Sequence, residues 1–196
     1  MNSEEARFQM TKKHHKSTFL KAKKQGKMDL DFIPLCDFIA ETKEFFTASC
    51  CAGRIALVGL GKNETKKESA FHRKWHRKVT LKEVKEGIDS FNGEVLWLKQ
   101  EPFIFHIGTN SLENSTRILA ACERAGTKRA GIKVAKKGKF LVEMVGTHNI
   151  NIPLKEGTEI IDEKFLKYLV KKANEKFSVN KKALKKLEKE FKKSLK

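Results

Sequence analysis

Hydrophobic and polar positions alternate with two distinct periods along this chain. Phe8, Phe19 and Leu20 anchor a basic, weakly amphipathic helix over residues 4–28 that stops near Gly26. The next run, DFIPLCDFIAETKEFF, reads as a helix capped by Asp29 or Asp31, with Pro34 in an early turn where a missing N–H costs little. RIALV after Gly53 is a short strand, followed by the polar loop GLGKNETKKES, and KWHRK is a strand or a turn. Val79, Val84, Ile88 and Phe91 have helical spacing, and Asn92-Gly93 ends that helix. EVLWLK and FIFHIG are strands separated by Gln100-Glu101-Pro102. Leu112–Ala125 is a helix stopped by Gly126, and GIKVAKKGKFLVEMVG is a hairpin turning at KKGK. INIPL adds a strand. From Asp162 the period is helical again, with one stripe of Phe165, Leu169 and Ala173 and a second of Leu184, Leu187, Phe191 and Leu195.

Irregular alternation of helices and strands, with a hairpin among them, predicts a mixed α/β (α+β) sheet rather than a doubly wound parallel one. Three segments follow: a basic helix over 1–28, one α/β domain over 29–170, and a lysine-rich helical tail over 171–196. ASCCAGRIALV and ERAGTKRAGIKVA both turn at small residues and enter a strand, an internal echo compatible with duplication.

Charge narrows the partners. Forty-two Lys and Arg against 24 Asp and Glu give a net charge of +18 over 196 residues. Such an excess favours polyanions, foremost nucleic acid, through salt-dependent phosphate neutralisation. No apolar run is long enough to span a bilayer, and the first residues lack a signal-peptide core, so a cytoplasmic protein with reduced thiols is expected. On that expectation the sequons at Asn63 and Asn114 carry no meaning.

The candidate chemistry has several readings. Gly59-Leu60-Gly61 lacks the third glycine and the following helix of a dinucleotide fingerprint, and reads as a hairpin or loop. His72 and His76 would share a helix face and, with Cys50 and Cys51, offer a zinc set, although no Cys-x-x-Cys pair is present. Cys50 or Cys51 is a candidate nucleophile beside Arg54, or a packing residue; Cys36 and Cys122 fall on apolar helix faces. Thr47, Ser49, Gly53 and Arg54 form a polar strand-entry turn, where Arg54 offers a planar cation to a carboxylate or phosphate, or is a surface arginine beside a capped turn. Glu101, His106 and His148 stand at strand ends, where a histidine brought against a carboxylate makes an acid–base pair.

Together FFTASCCAGRIAL, KWHRKV, EPFIFHIG and AGTKRAGIKVAKKGKFLVEMVGTHNINIPL resemble the third wybutosine-synthesising protein family of archaea and eukaryotes, across about Gly26 to Val170. The family signature Thr-x-Ser-Ser-Cys-Ser/Ala-Gly-Arg reads here Thr47, Ala48, Ser49, Cys50, Cys51, Ala52, Gly53, Arg54, with Cys50 in place of the usual serine. The resemblance implies an S-adenosylmethionine-dependent methyltransferase of archaeal type. Its substrate would be N4 of 7-(3-amino-3-carboxypropyl)-4-demethylwyosine, just 3′ of the anticodon in tRNA-Phe. It implies a curved, barrel-like mixed sheet with surrounding helices and internal pseudo-symmetry. It implies Ser49, Cys51, Gly53, Arg54, His106 and His148 around the cofactor, and His76, Asp29 or Glu101 as the base. Thr147, Pro102 and Pro153 fall on further family positions. The expected partners are the anticodon loop of tRNA-Phe and S-adenosylmethionine, with a monomeric protein and no metal or membrane. Without the resemblance, the residues support a non-catalytic basic tRNA-binding module, a zinc-stabilised protein or a cysteine-dependent enzyme.

Overall fold

The structure, a computed structural model, describes residues 3–61 and 68–195. Its helices are α1 (Ser3–Lys24), α2 (Ile33–Glu41), α3 (Leu81–Asp89), α4 (Leu112–Arg124) and α5 (Glu163–Ser194). Its strands are β1 (Phe45–Cys51), β2 (Arg54–Leu60), β3 (Ala70–Trp75), β4 (Val95–Glu101), β5 (Ile104–Thr109), β6 (Arg129–Lys136), β7 (Lys139–Val145), β8 (Ile150–Glu156) and β9 (Thr158–Glu159). Among the described residues every strand pairing is antiparallel. The sequon at Asn63 and most of the loop after Gly61 lie outside those residues.

The chain divides into two compact units, each assembled from separate stretches of sequence. The first holds Met1–Ala52, Phe103–Thr147 and Lys181–Lys196; the second holds Gly53–Pro102 and His148–Asn180. The α+β class therefore stands, but a single curved, barrel-like mixed sheet does not. The first unit has a four-stranded sheet in the order β1-β5-β7-β6, and the second a five-stranded sheet in the order β3-β2-β4-β8-β9. With every pairing antiparallel, no parallel crossover arises among the described residues.

In the first unit Phe32, Leu35, Ile39, Phe105, Ile107, Ile118, Val142 and Met144 form one buried cluster. Phe105 and Ile107 alternate with His106, so β5 places apolar side chains in the core and the histidine on the opposite face. Truncating a ring like Phe105 to alanine costs about 3–5 kcal/mol. In the second unit Ile55, Leu57, Leu96, Leu98 and Leu154 meet Val84 and Ile88 of α3. Thr80 caps α3 and Glu83 returns the bond to the Thr80 N–H, a reciprocal capping box. Ser111 caps α4, its hydroxyl accepting from the Asn114 N–H at 3.1 Å.

Several expectations shift. The helix begun near Pro34 ends at Glu41, and FFTASCC is a strand. Asp29 makes no side-chain cap. His72 lies in β3, where its Nε2 sits 2.9 Å from the Gly87 carbonyl oxygen, so His72 and His76 share no helix face. Gly59 pairs with Ala70 across a hairpin, as the missing third glycine suggested. Leu20 and Phe165 are exposed; the apolar stripe at the start of α5 is Leu166, Leu169, Val170, Ala173 and Phe177, because steps of four residues alone drift off a 3.6-residue period. The second stripe holds as read, and Leu184, Leu187, Phe191 and Leu195 are buried in the core of the first unit. The lysine-rich segment from residue 171 belongs to this helix as far as Ser194, and the helix begins earlier, at Glu163. The internal echo reaches the turns: Gly53 and Gly126 both have positive φ, at 91° and 77°. Past the turns it ends, since β2 is an interior strand and β6 an edge.

Candidate functional site

Four polar side chains cross the sheet of the first unit. Ser49 pairs in register with His106, and His106 with Glu143. Ser49 Oγ lies 2.9 Å from His106 Nδ1, and His106 Nε2 lies 3.0 Å from Glu143 Oε2. The other carboxylate oxygen, Glu143 Oε1, is 2.8 Å from Lys133 Nζ. Two irregularities make the row possible. The β1–β5 register shifts between Thr47 and Ser49, and the β6–β7 register between Ile132 and Val134. The residues skipped, Ala48 and Lys133, are the extra residues of bulges, which re-aim neighbouring side chains. The Lys133 ammonium and the His106 ring hold the Glu143 carboxyl below the usual carboxylate range. Ser49 and Lys133, the two ends of the row, are exposed, and His106 and Glu143 between them are half-buried.

Asp29 also belongs to the first unit. Its Oδ2 accepts from the Ala52 N–H at 2.6 Å, so the carboxylate anchors the end of β1 instead of capping a helix. Cys51 is the last residue of β1 and is half-buried. Cys50 Sγ lies 4.0 Å from Cys36 Sγ; contact with Cys36 and burial both push the Cys50 thiol up, away from nucleophilic character. Burial alone pushes Cys122 up to about 12. No disulfide joins any of the four cysteines.

The second unit carries Gly53, Arg54, His76, Glu101 and His148. Arg54 and Glu101 face each other across β2 and β4, and the Arg54 Nε donates to Glu101 Oε2. The guanidinium lies over the Phe71 ring, 4.4 Å from its centroid. Gly53 adopts φ 91°, and a Cβ there would come within 2.8 Å of the Glu101 carbonyl oxygen and 2.7 Å of Asn180 Nδ2. Only glycine allows that approach. His76 is exposed just after β3, and His148 is half-buried between β7 and β8. A cavity of about 540 Å³ opens on the sheet, lined by Val58, Leu60, Ala70, Phe71 and Trp97, with Ser69, Lys99 and Glu101 as its polar groups. Arg54 borders it through both of its partners, Phe71 and Glu101.

The structure thus joins Ser49 to His106 and Arg54 to Glu101. Glu143, Lys133, Phe71, Trp97 and Lys99 were absent from the sequence-based site. Glu143 had a signal: a lone carboxylate between the apolar Val142 and Met144 of an alternating strand must face away from the core.

The family model described as Methyltransferase TYW3 matches residues 6–193, beyond both ends of the segment carrying the motif resemblance. A tRNA(Phe) 7-((3-amino-3-carboxypropyl)-4-demethylwyosine(37)-N(4))-methyltransferase of Archaeoglobus fulgidus is 35% identical over 178 residues, covering 90% of this chain and 89% of that protein. A Thermococcus kodakarensis relative with the same activity in its name is 34% identical, with 88% of each chain covered. The human tRNA wybutosine-synthesizing protein 3 homolog is 31% identical, over 82% of this chain and 63% of the human one. A solved Pyrococcus horikoshii protein superposes with a TM-score of 0.87 at 31% identity, covering 93% of this chain and 94% of that one. With the signature, the fold and these relatives in agreement, the chain belongs to the Methyltransferase TYW3 family.

Proposed function

We propose that this protein transfers a methyl group from S-adenosylmethionine to N4 of 7-(3-amino-3-carboxypropyl)-4-demethylwyosine, 3′ of the anticodon in tRNA-Phe. The observation that carries this reading is the match to archaeal relatives of that named activity over 88% or more of the chain. S-adenosylmethionine supplies an electrophilic methyl group on a sulfonium. The cavity of the second unit fits such a ligand in size and chemistry. Phe71 and Trp97 offer aromatic surface to a purine, Lys99 a cation to a carboxylate, and Glu101 an acceptor to an ammonium or a ribose hydroxyl. Arg54, oriented by Phe71 and Glu101, is a planar partner for a second carboxylate, such as that of the substrate's 3-amino-3-carboxypropyl arm.

Binding of the tRNA rests on the charge of +18. Lysines on α1 and α5 neutralise phosphates of the anticodon arm. The tricyclic base leaves the loop stack so that its ring nitrogen reaches the site. The chain holds acceptor and methyl about 3–3.5 Å apart and in line. Cys51 packs or hydrogen-bonds and takes no covalent part, because direct displacement needs no relay.

Ligand binding separates this reading from a basic tRNA-binding module without chemistry. S-adenosylmethionine at 100 times its Kd stabilises the fold by about 2.7 kcal/mol. Phe71→Ala and Lys99→Ala should weaken that stabilisation while tRNA-Phe is still retained. Retention of tRNA with no stabilisation by S-adenosylmethionine would establish the module instead.

A further inference from the structure

We propose that Phe165 and Tyr168 form a stacking platform for an unpaired base of the bound RNA, with Lys164 and Lys171 beside it to meet the flanking phosphates. This inference rests on the reading that the partner is tRNA, and not on the methyl donor. Both rings lie in the part of α5 that belongs to the second unit. Phe165 stands in steps of four with Leu169 and Ala173, yet the core is filled by Leu166, Leu169, Val170, Ala173 and Phe177. Phe165 is left 42% exposed and Tyr168 54% exposed. Two neighbouring aromatic rings in water forgo the gain that burial would bring, and a ligand that covers them recovers it.

The geometry suits a flat ligand. The ring centroids of Phe165 and Tyr168 are 6.3 Å apart and their planes are inclined by only 29°. Lys172 Nζ stands 5.6 Å from the Tyr168 centroid, but it is also bonded to Glu175 Oε2 at 2.8 Å, so its charge is already answered. Lys164, Lys167 and Lys171 are exposed and enter no ion pair among the described residues. Lys164 precedes Tyr168 by four residues and Lys171 follows it by three, which places both on its side of the helix, one turn to either end. From Lys164 to Lys172 the helix carries four lysines and no acidic residue.

The combination of rings and cations names the occupant. A nucleobase covers an aromatic ring by stacking, and the phosphates on either side of it fall to the lysines. Every base has a π-face, so the platform reads no sequence. A duplex keeps its bases stacked on one another and offers this surface phosphates alone, so the platform favours an unpaired stretch such as a tRNA loop. A second copy of this chain brings the same lysines and a net charge of +18, and charge repulsion opposes that pairing.

Two measurements test the platform. The first is equilibrium binding of the full chain to an unmodified tRNA-Phe transcript and to a blunt RNA duplex across a salt series. Phe165→Ala and Tyr168→Ala should each weaken binding of the transcript by about 5–150-fold, the equivalent of one lost base stack, and leave the duplex bound as before. Tyr168→Trp should retain the affinity, since the ring and not the hydroxyl makes the contact. Lys164→Gln and Lys171→Gln should weaken both RNAs and lower the slope of log affinity against log salt by about one each. The second measurement uses Tyr168 as the single tyrosine of the chain. In protein labelled with fluorotyrosine, its fluorine NMR signal should move as an unpaired oligonucleotide of anticodon-loop sequence is added. Transcript affinity unchanged in both alanine variants, or a fluorine signal that stays in place while the RNA binds, overturns the platform and leaves the tRNA partner intact. Sedimentation of the unaltered protein as a dimer and of Tyr168→Ala as a monomer, with RNA affinity unchanged, makes the pair a contact between copies and overturns the platform as well. Failure of the unaltered protein to bind the transcript would instead remove the tRNA partner itself, and the platform with it.

Discussion

Asp29 Oδ2 takes the Ala52 N–H at 2.6 Å, and Ala52 is only 3% exposed. A buried amide at the end of β1 thus depends on a carboxylate that the sequence offered as a helix cap and as a catalytic base. Asp29→Ala leaves that N–H without its acceptor and should cost about 1–3 kcal/mol in denaturant unfolding. Asp29→Asn keeps an acceptor oxygen and should retain most of the stability. If Asp29→Asn also keeps turnover, the base lies elsewhere; a folded, inactive Asp29→Asn would return Asp29 to the chemistry.

Gly53 gives a second handle on the same stretch of chain. Its φ of 91° and the 2.8 Å approach to the Glu101 carbonyl oxygen leave no room for a methyl group. Gly53→Ala should destabilise the protein by about 1–3 kcal/mol, read as a lower denaturant midpoint with an unchanged slope. A midpoint equal to that of the unaltered protein would show that the turn relaxes without strain.

Arg54 is held by Glu101 and stacked on Phe71. Lysine preserves the charge but not the fork or the stacking plane. Arg54→Lys should therefore raise the KM for tRNA or for S-adenosylmethionine by an order of magnitude, about 1.4 kcal/mol. The substrate whose KM rises identifies the carboxylate that Arg54 binds. No change in either would reduce Arg54 to a structural ion pair.

Acid should find Glu143. Its carboxyl is held low in the folded protein by Lys133 and then His106. A depressed folded value stabilises the protein above the unfolded glutamate value of about 4.3, and that contribution fades as pH falls below it. The unaltered protein should therefore lose stability more steeply than Glu143→Gln from about pH 4 downward. Parallel acid-unfolding curves for the two would contradict the bonded row.

Much of this fold was legible locally. EVLWLK and FIFHIG are β-rich runs, Leu112–Ala125 has its serine cap and glycine stop, and the paired strands around KKGK turn at Gly138 with φ 69°. FFTASCC was not legible as a strand, because small polar residues and the extra Ala48 interrupt its period. The division into two units was also hidden. It depends on which distant strands pair, β1 with β5 and β4 with β8, and no local period encodes that choice. The same holds for the site. Arg54 and Glu101 were both named, but only the β2–β4 register sets them face to face. His106 was named without Glu143 and Lys133, whose roles arise from register and a bulge.

The most direct test is methyl transfer itself. Purified protein, isotopically labelled S-adenosylmethionine and tRNA-Phe carrying 7-(3-amino-3-carboxypropyl)-4-demethylwyosine would be incubated, and the digested nucleosides weighed. The expected result is a gain of one labelled methyl group on the tricyclic base. A folded protein that retains this tRNA and leaves the mass of the base unchanged would contradict the assignment.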